Sequence, residues 1–224
     1  MDSHRSLTSL AHHRIREMVL SGELPPGSRI QIDALRKRLE MGASPVREAL
    51  SILSSEQLVV RNEQRGFWAP KISAEDFAIL LDTRCRVEGI AFADAIGHGG
   101  AAWEEQIVLL QYRLNTMDRA ANADMWEVAH RDFHQALIAA CPSGYLLKFC
   151  SQLYDLAVRY RNVASLAAYP ERQVNNEHSQ IAEAALARDT ARAVDLLVDH
   201  YRKTGDFLYA QLAEREGTGI KTAV

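Results

Sequence analysis

Residues 41–70 read MGASPVREALSILSSEQLVVRNEQRGFWAP, and the pattern of this stretch changes twice. After the break at Met41-Gly42, Ser44 suits a helix N-cap, Pro45 the first helical turn, and Glu48 adds an acid near the positive end of the helix. Val46, Ala49, Leu50 and Leu53 then recur at helical spacing, which predicts a helix running to about Glu56. A short β-branched run follows, then a polar turn containing Gly66, then a second short run ended by Pro70. That order predicts a two-stranded hairpin.

Upstream, LTSLAHHRIREMVL (7–20) reads as a helix that SGELPPGS (21–28) must stop, because Pro-Pro-Gly cannot continue it. QIDALRKRLE (31–40) places Ile32, Leu35 and Leu39 on one helical face. Helix, turn, helix, tight break, helix and hairpin within residues 1–71 make a winged helix-turn-helix. Such a module sets the start of its third helix against base edges in the major groove. Arg47 is the first candidate for a base or phosphate contact, while Ser44, Pro45 and the N–H groups of the first turn suit a phosphate. At the hairpin tip Arg65 faces the DNA backbone or minor groove, and Gly66 permits close approach. Arg36 and Lys37, with Arg38, supply backbone charge or form a solvated helix face. The same pattern also fits a small structural domain with solvated basic residues.

Charge is distributed unevenly. Residues 1–70 carry ten Lys and Arg against eight Asp and Glu, and residues 71–224 carry sixteen against twenty-one, within a net charge of −3. The direction favours an anionic partner for the first part. Hydrophobic residues make up 47% and charged residues 25%, as in an ordinary globular chain. No apolar run approaches the roughly 20 residues that span a bilayer, and the first residues lack the apolar segment of a secretory signal. Cys85, Cys141 and Cys150 have no C-x-x-C spacing and read as reduced thiols of a cytoplasmic chain without membrane partners.

From Ser73 onward the reading is wholly helical, with six segments at about 73–97, 101–121, 123–140, 143–166, 170–187 and 189–215. The fold class is therefore mainly α, an N-terminal winged helix followed by an antiparallel bundle over 72–224 that ends in a tail, EGTGIKTAV. The bundle contains HRDFH at 130–134, whose two histidines lie one helical turn apart. A zinc-protease helix needs Glu directly after its first His, and here Arg131 stands there. The pair is either two ordinary polar positions or half of a metal site. His178 and His200, on two later helices, are placed to complete one, since bundle cores build such sites from facing helices.

The first module, in SGELPPGSRI, SPVREAL and the RG of the wing, resembles the GntR family of bacterial transcription regulators over about residues 7–70. The six helices after it resemble the FCD ligand-binding domain of the FadR-like branch, in its shorter VanR-like form. The resemblance implies a DNA-binding regulator and not an enzyme: a homodimer on double-stranded operator DNA, most simply a repressor, governed by a small organic acid effector. It implies a divalent metal on His130, His134, His178 and His200, with zinc favoured and nickel next, and Arg84 as a bidentate clamp on the effector carboxylate. A surface helix pair of Arg84 with Glu88 is the alternative. Arg159 and Asn175 are further effector candidates, chosen because their helices face the expected cavity. The chain departs from the family twice. His130 stands where the family usually has Asp, and Gly42-Ala43 stand where it has a Ser/Thr-Arg pair, so a second operator-reading arginine is not carried over. A metal sensor, in which the ion is itself the signal, is the rival regulator, and a metalloenzyme the rival from another class.

Overall fold

The computed structural model describes residues 6–119, 121–163 and 173–217. The chain divides into two compact units. One holds the chain up to Ala78 together with the segments beginning at Asp155 and Leu208; the other holds Ile79–Tyr154 and the segment ending at Phe207.

The first unit contains α1 (Leu7–Leu20), β1 (Arg29–Ile30), α2 (Ile32–Leu39), α3 (Ala43–Ser55), β2 (Val60–Asn62) and β3 (Gly66–Trp68). Ser6 caps α1 by accepting from the Ser9 N–H. The apolar stripes of α1, α2 and α3 close on one core in which Ile15, Leu50 and Leu53 are fully buried. The expected hairpin gains a third strand. β1 pairs antiparallel with β3 (Arg29 opposite Trp68, Ile30 opposite Phe67), which also pairs with β2 (Asn62 opposite Gly66). A two-residue strand is too short to show alternation, so periodicity does not reveal β1. The start of α3 also differs from expectation. Gly42, not Ser44, is the N-cap, and the Ser44 hydroxyl instead donates to Glu48, which also accepts from Thr8 of α1. Glu48 therefore ties α1 to α3 in addition to sitting near a helix terminus.

Bundle helices follow: α4 (Ala74–His98), α5 (Ala101–Thr116), α6 (Ala123–Ile138), α7 (Gly144–Val163), α8 (Val174–Leu186) and α9 (Thr190–Gly217). Ser73 accepts from the Asp76 N–H at the start of α4, as a cap should. α5 ends about one turn before its expected end. Met117 is extended, and Asp118 folds the chain back by accepting from the N–H groups of Ala121 and Asn122. Residues 164–172, which include the expected break before α8, and 218–224 of the expected tail lie outside the described residues. A second core fills this unit, with Phe92, Ile107, Leu114, Phe133, Leu137 and Ile181 at its centre.

Candidate functional site

α6 buries a stripe through Trp126, Ala129, His130, Phe133, His134 and Leu137, so both histidines of HRDFH point inward for the same reason as the apolar residues beside them. α8 supplies His178 and α9 supplies His200. The four imidazoles are 6, 3, 0 and 4% exposed in chain order, and one ring nitrogen from each lies within 4.8 Å of the others. Nε2 of His130 and Nε2 of His134 are 3.1 Å apart. Ring centroids are separated by 4.5 Å for His130–His134, 4.7 Å for His178–His200 and 5.3 Å for His134–His200.

Outer groups orient two of the rings. Nδ1 of His200 lies 2.8 Å from a carboxylate oxygen of Glu177, which can only accept, so the proton sits on Nδ1 and Nε2 keeps its lone pair. Nδ1 of His134 lies 3.1 Å from the Tyr201 hydroxyl, whose own hydrogen goes to Glu88. His134 therefore donates from Nδ1, and its Nε2 is the nitrogen that faces His130. Trp126 stacks on His130 with centroids 4.7 Å apart and planes 17° from parallel. Four buried imidazoles gathered in this way fit zinc, nickel or copper, and suit magnesium or manganese poorly.

Arg84 is nearly enclosed. Its Nε lies 2.5 Å from Glu88, a second nitrogen lies 3.4 Å from the other Glu88 oxygen, and its guanidinium sits 3.9 Å over the Tyr201 ring and 5.1 Å from that of Tyr154. Burial works against its charge, but the Glu88 carboxylate more than offsets this and keeps it firmly cationic. Burial and the same carboxylate push the Tyr201 hydroxyl well up, so it stays protonated and donates. The Arg84–Glu88 pair exists, then, but as a buried pair and not the surface one. The arginine fork already holds a carboxylate belonging to the chain. Beside this network opens a cavity of about 250 Å³ lined by Glu88 and His134 together with α6 and α7 residues, among them Ile138, Leu147, Cys150 and Tyr154.

Two effector candidates are engaged elsewhere. Arg159 donates to the carbonyls of Pro70 (2.9 Å) and Lys71 (2.6 Å), pinning the segment after the wing to α7. It belongs to the first compact unit, while the histidines belong to the second. Asn175 donates to the Leu114 carbonyl at 3.4 Å, clasping α8 to α5. Helix membership could not reveal either assignment, because it does not say which turn of a long helix reaches which neighbour. Conversely, Glu88, Glu177 and Tyr201 belong to the site and were not chosen from sequence as its members. The signal was adjacency: Glu177 precedes His178 and Tyr201 follows His200.

On the first unit Arg47 is exposed on the first turns of α3, and Pro45 is half-buried beside it. Arg65 is exposed in the turn between β2 and β3, where Gly66 has φ +94°, a conformation that glycine adopts at little cost. Arg29 and Arg61, exposed on the strands, add basic residues to the wing that sequence reading passed over. The Arg29 guanidinium lies beside Gly66. Arg36 faces Asp33 at 3.4 Å, and Lys37 is exposed.

Known proteins share this organisation. Residues 7–68 match the bacterial regulatory proteins of the gntR family, and residues 79–203 match the FCD domain. The chain is 38% identical over 202 residues to BphR, an uncharacterized HTH-type transcriptional regulator of Paraburkholderia xenovorans, covering 88% of this chain and 82% of that protein. It is 31% identical over 204 residues to the HTH-type transcriptional repressor GlaR of Escherichia coli, covering 87% and 93%. The structure of E. coli McbR/YncC superposes with a TM-score of 0.78 over 92% of this chain and 99% of that one, at 22% identity, a likeness of fold. These relatives and families are regulators, which sets the metalloenzyme alternative aside. A winged helix followed by an FCD domain, matched in that order along one chain, makes this protein a member of the GntR family of DNA-binding transcriptional regulators.

Proposed function

We propose that the protein is a metabolite-responsive repressor. In this reading a cytoplasmic homodimer presents two winged helices to a two-fold-symmetric operator, and a small organic acid bound in the helical domain changes the affinity for DNA. The observation that carries it is the convergence of four buried histidines, from three helices, beside a cavity of about 250 Å³ in a chain that begins with a winged helix. His130, His134, His178 and His200 would hold the ion, zinc before nickel. A bound divalent ion would supply a cationic partner for an acid's carboxylate. Repression as the sign of control follows GlaR, which is named a repressor.

The chain's own groups set the response. Glu177 and Tyr201 orient their imidazoles, and Arg84 holds Glu88 through Nε and one terminal nitrogen. α7 forms part of the cavity wall through Leu147, Cys150 and Tyr154, and five residues beyond Tyr154 its Arg159 grips the linker carbonyls. An effector that favours one placement of α7 over another shifts the linker with it, through its differential affinity for the two states.

A second reading, the metal sensor, is favoured by the Arg84–Glu88 pair, because the site's cation is satisfied without any effector. One experiment separates the two. Metal content is measured on purified protein, and binding to the DNA upstream of its gene is titrated with zinc, with chelator and with an acid panel. Release by an acid at constant zinc supports the metabolite reading, and control by zinc alone supports the sensor. Absence of salt-sensitive binding to that DNA sinks both.

A further inference from the structure

The cavity beside the histidines has a chemistry of its own. Its wall is predominantly carbon, contributed by Ile138, Ala139, Leu147, Cys150 and the Tyr154 ring, with Gln135 and Ser151 as polar side chains beside Glu88 and His134. Burial pushes the Cys150 thiol up to about 12, so it meets a ligand as a neutral, apolar surface. Among the described residues that line the cavity there is no Lys or Arg. The one anion on the wall, Glu88, is already matched by Arg84 and by the Tyr201 hydroxyl. Arg131 lies over the Tyr154 ring, 5.2 Å from its centroid, and is not part of the wall.

From this lining we infer that the cavity takes an acid with a single carboxylate and an apolar body, its carboxylate at the histidine end and its body along α6 and α7. The inference rests on the metabolite reading above and narrows it to a class. A second carboxylate, at the far end of the body, would lie against carbon with no Lys or Arg on the wall to meet it, and burying an unpaired charge is strongly unfavourable. A polyhydroxylated body would strip water from several hydroxyls and find few partners in return. An apolar body has no hydroxyls of its own to desolvate. The volume equals that of roughly eight water molecules in the liquid, room for a ring or a short chain.

The test uses three acids of six carbons, hexanoate, adipate and gluconate, titrated calorimetrically into full-length protein loaded with zinc, with Trp126 fluorescence as a second readout because that ring stacks on His130. Hexanoate is expected to bind at least tenfold more tightly than either of the others. Ser151→Phe, which fills the cavity from α7, should weaken hexanoate at least tenfold with zinc content unchanged, and Ser151→Thr should retain binding. Adipate or gluconate binding as tightly as hexanoate, or no acid of the three binding to zinc-loaded protein, overturns the inference. If the protein retains no zinc, the metal reading fails on its own account. The ranking is then read on the protein as purified, where hexanoate ahead of the other two still supports the class and any other order overturns it.

Discussion

At the scale of single residues, His130 and His134 were legible as a pair, but their partners' orientation was not. An i,i+4 spacing fixes which face two side chains share, and the buried stripe of α6 then carries both inward. Which nitrogen His134 presents depends on Tyr201, and which nitrogen His200 presents depends on Glu177, each a group on another helix. Replacing Glu177 by Ala, or Tyr201 by Phe, should weaken zinc binding by about 10–100-fold, because an unanchored imidazole must be oriented on binding. Competition against a chromogenic zinc chelator measures this, and unchanged affinity in both variants would show that these bonds do not set the ligand geometry. His130→Asp restores the carboxylate usual in the family. It should shift preference toward manganese relative to zinc, since a harder oxygen donor replaces an imidazole. Comparing the two metals on wild type and variant checks it, and an unaltered preference contradicts the role given to His130. Arg84 teaches the opposite lesson. Its type and its spacing to Glu88 were both visible, yet only burial between Tyr154 and Tyr201 shows that the fork is already engaged.

Among the elements, α7 and the wing hold the most consequence. α7 is continuous from Gly144 to Val163, and its turns from Asp155 onward belong to the first unit. Asp155 pairs with Arg16, Arg159 with the Pro70 and Lys71 carbonyls, and Asn162 with the Leu20 carbonyl. Arg159→Ala leaves two carbonyls without their donor and should cost about 2–3 kcal/mol of stability. Chemical denaturation reads that loss, and zinc content should be unchanged because Arg159 is not part of the cluster. Loss of zinc instead of stability would return Arg159 to the effector site. On the wing and α3, Arg47→Ala and Arg65→Ala should each lower the slope of log affinity against log salt by about 1 if the residue meets a phosphate. A base-reading arginine instead relaxes sequence preference, at about 1–3 kcal/mol for its contact. Titration of both variants on the upstream DNA and on scrambled DNA at several salt concentrations distinguishes the roles. Two variants indistinguishable from wild type would remove this face from the interface.

For the molecule as a whole, sequence by itself determined the order of the modules, the class of each helix and the shared face of His130 and His134. Those features follow from local rules: proline and glycine stop helices, caps start them, and a 3.6-residue period selects a buried face. The boundaries of α4, α6 and α9 fall within about two residues of expectation for that reason. Tertiary structure alone decided what each buried polar group meets. It gave the Tyr201 hydroxyl to Glu88, the Pro70 and Lys71 carbonyls to Arg159, the Leu114 carbonyl to Asn175, and β1 to the edge of β3. These partners lie far apart along the chain or in elements too short to carry a period. A buried polar group must be matched by whatever neighbour packing brings to it, and periodicity specifies the face a residue shows but not the residue it finds there.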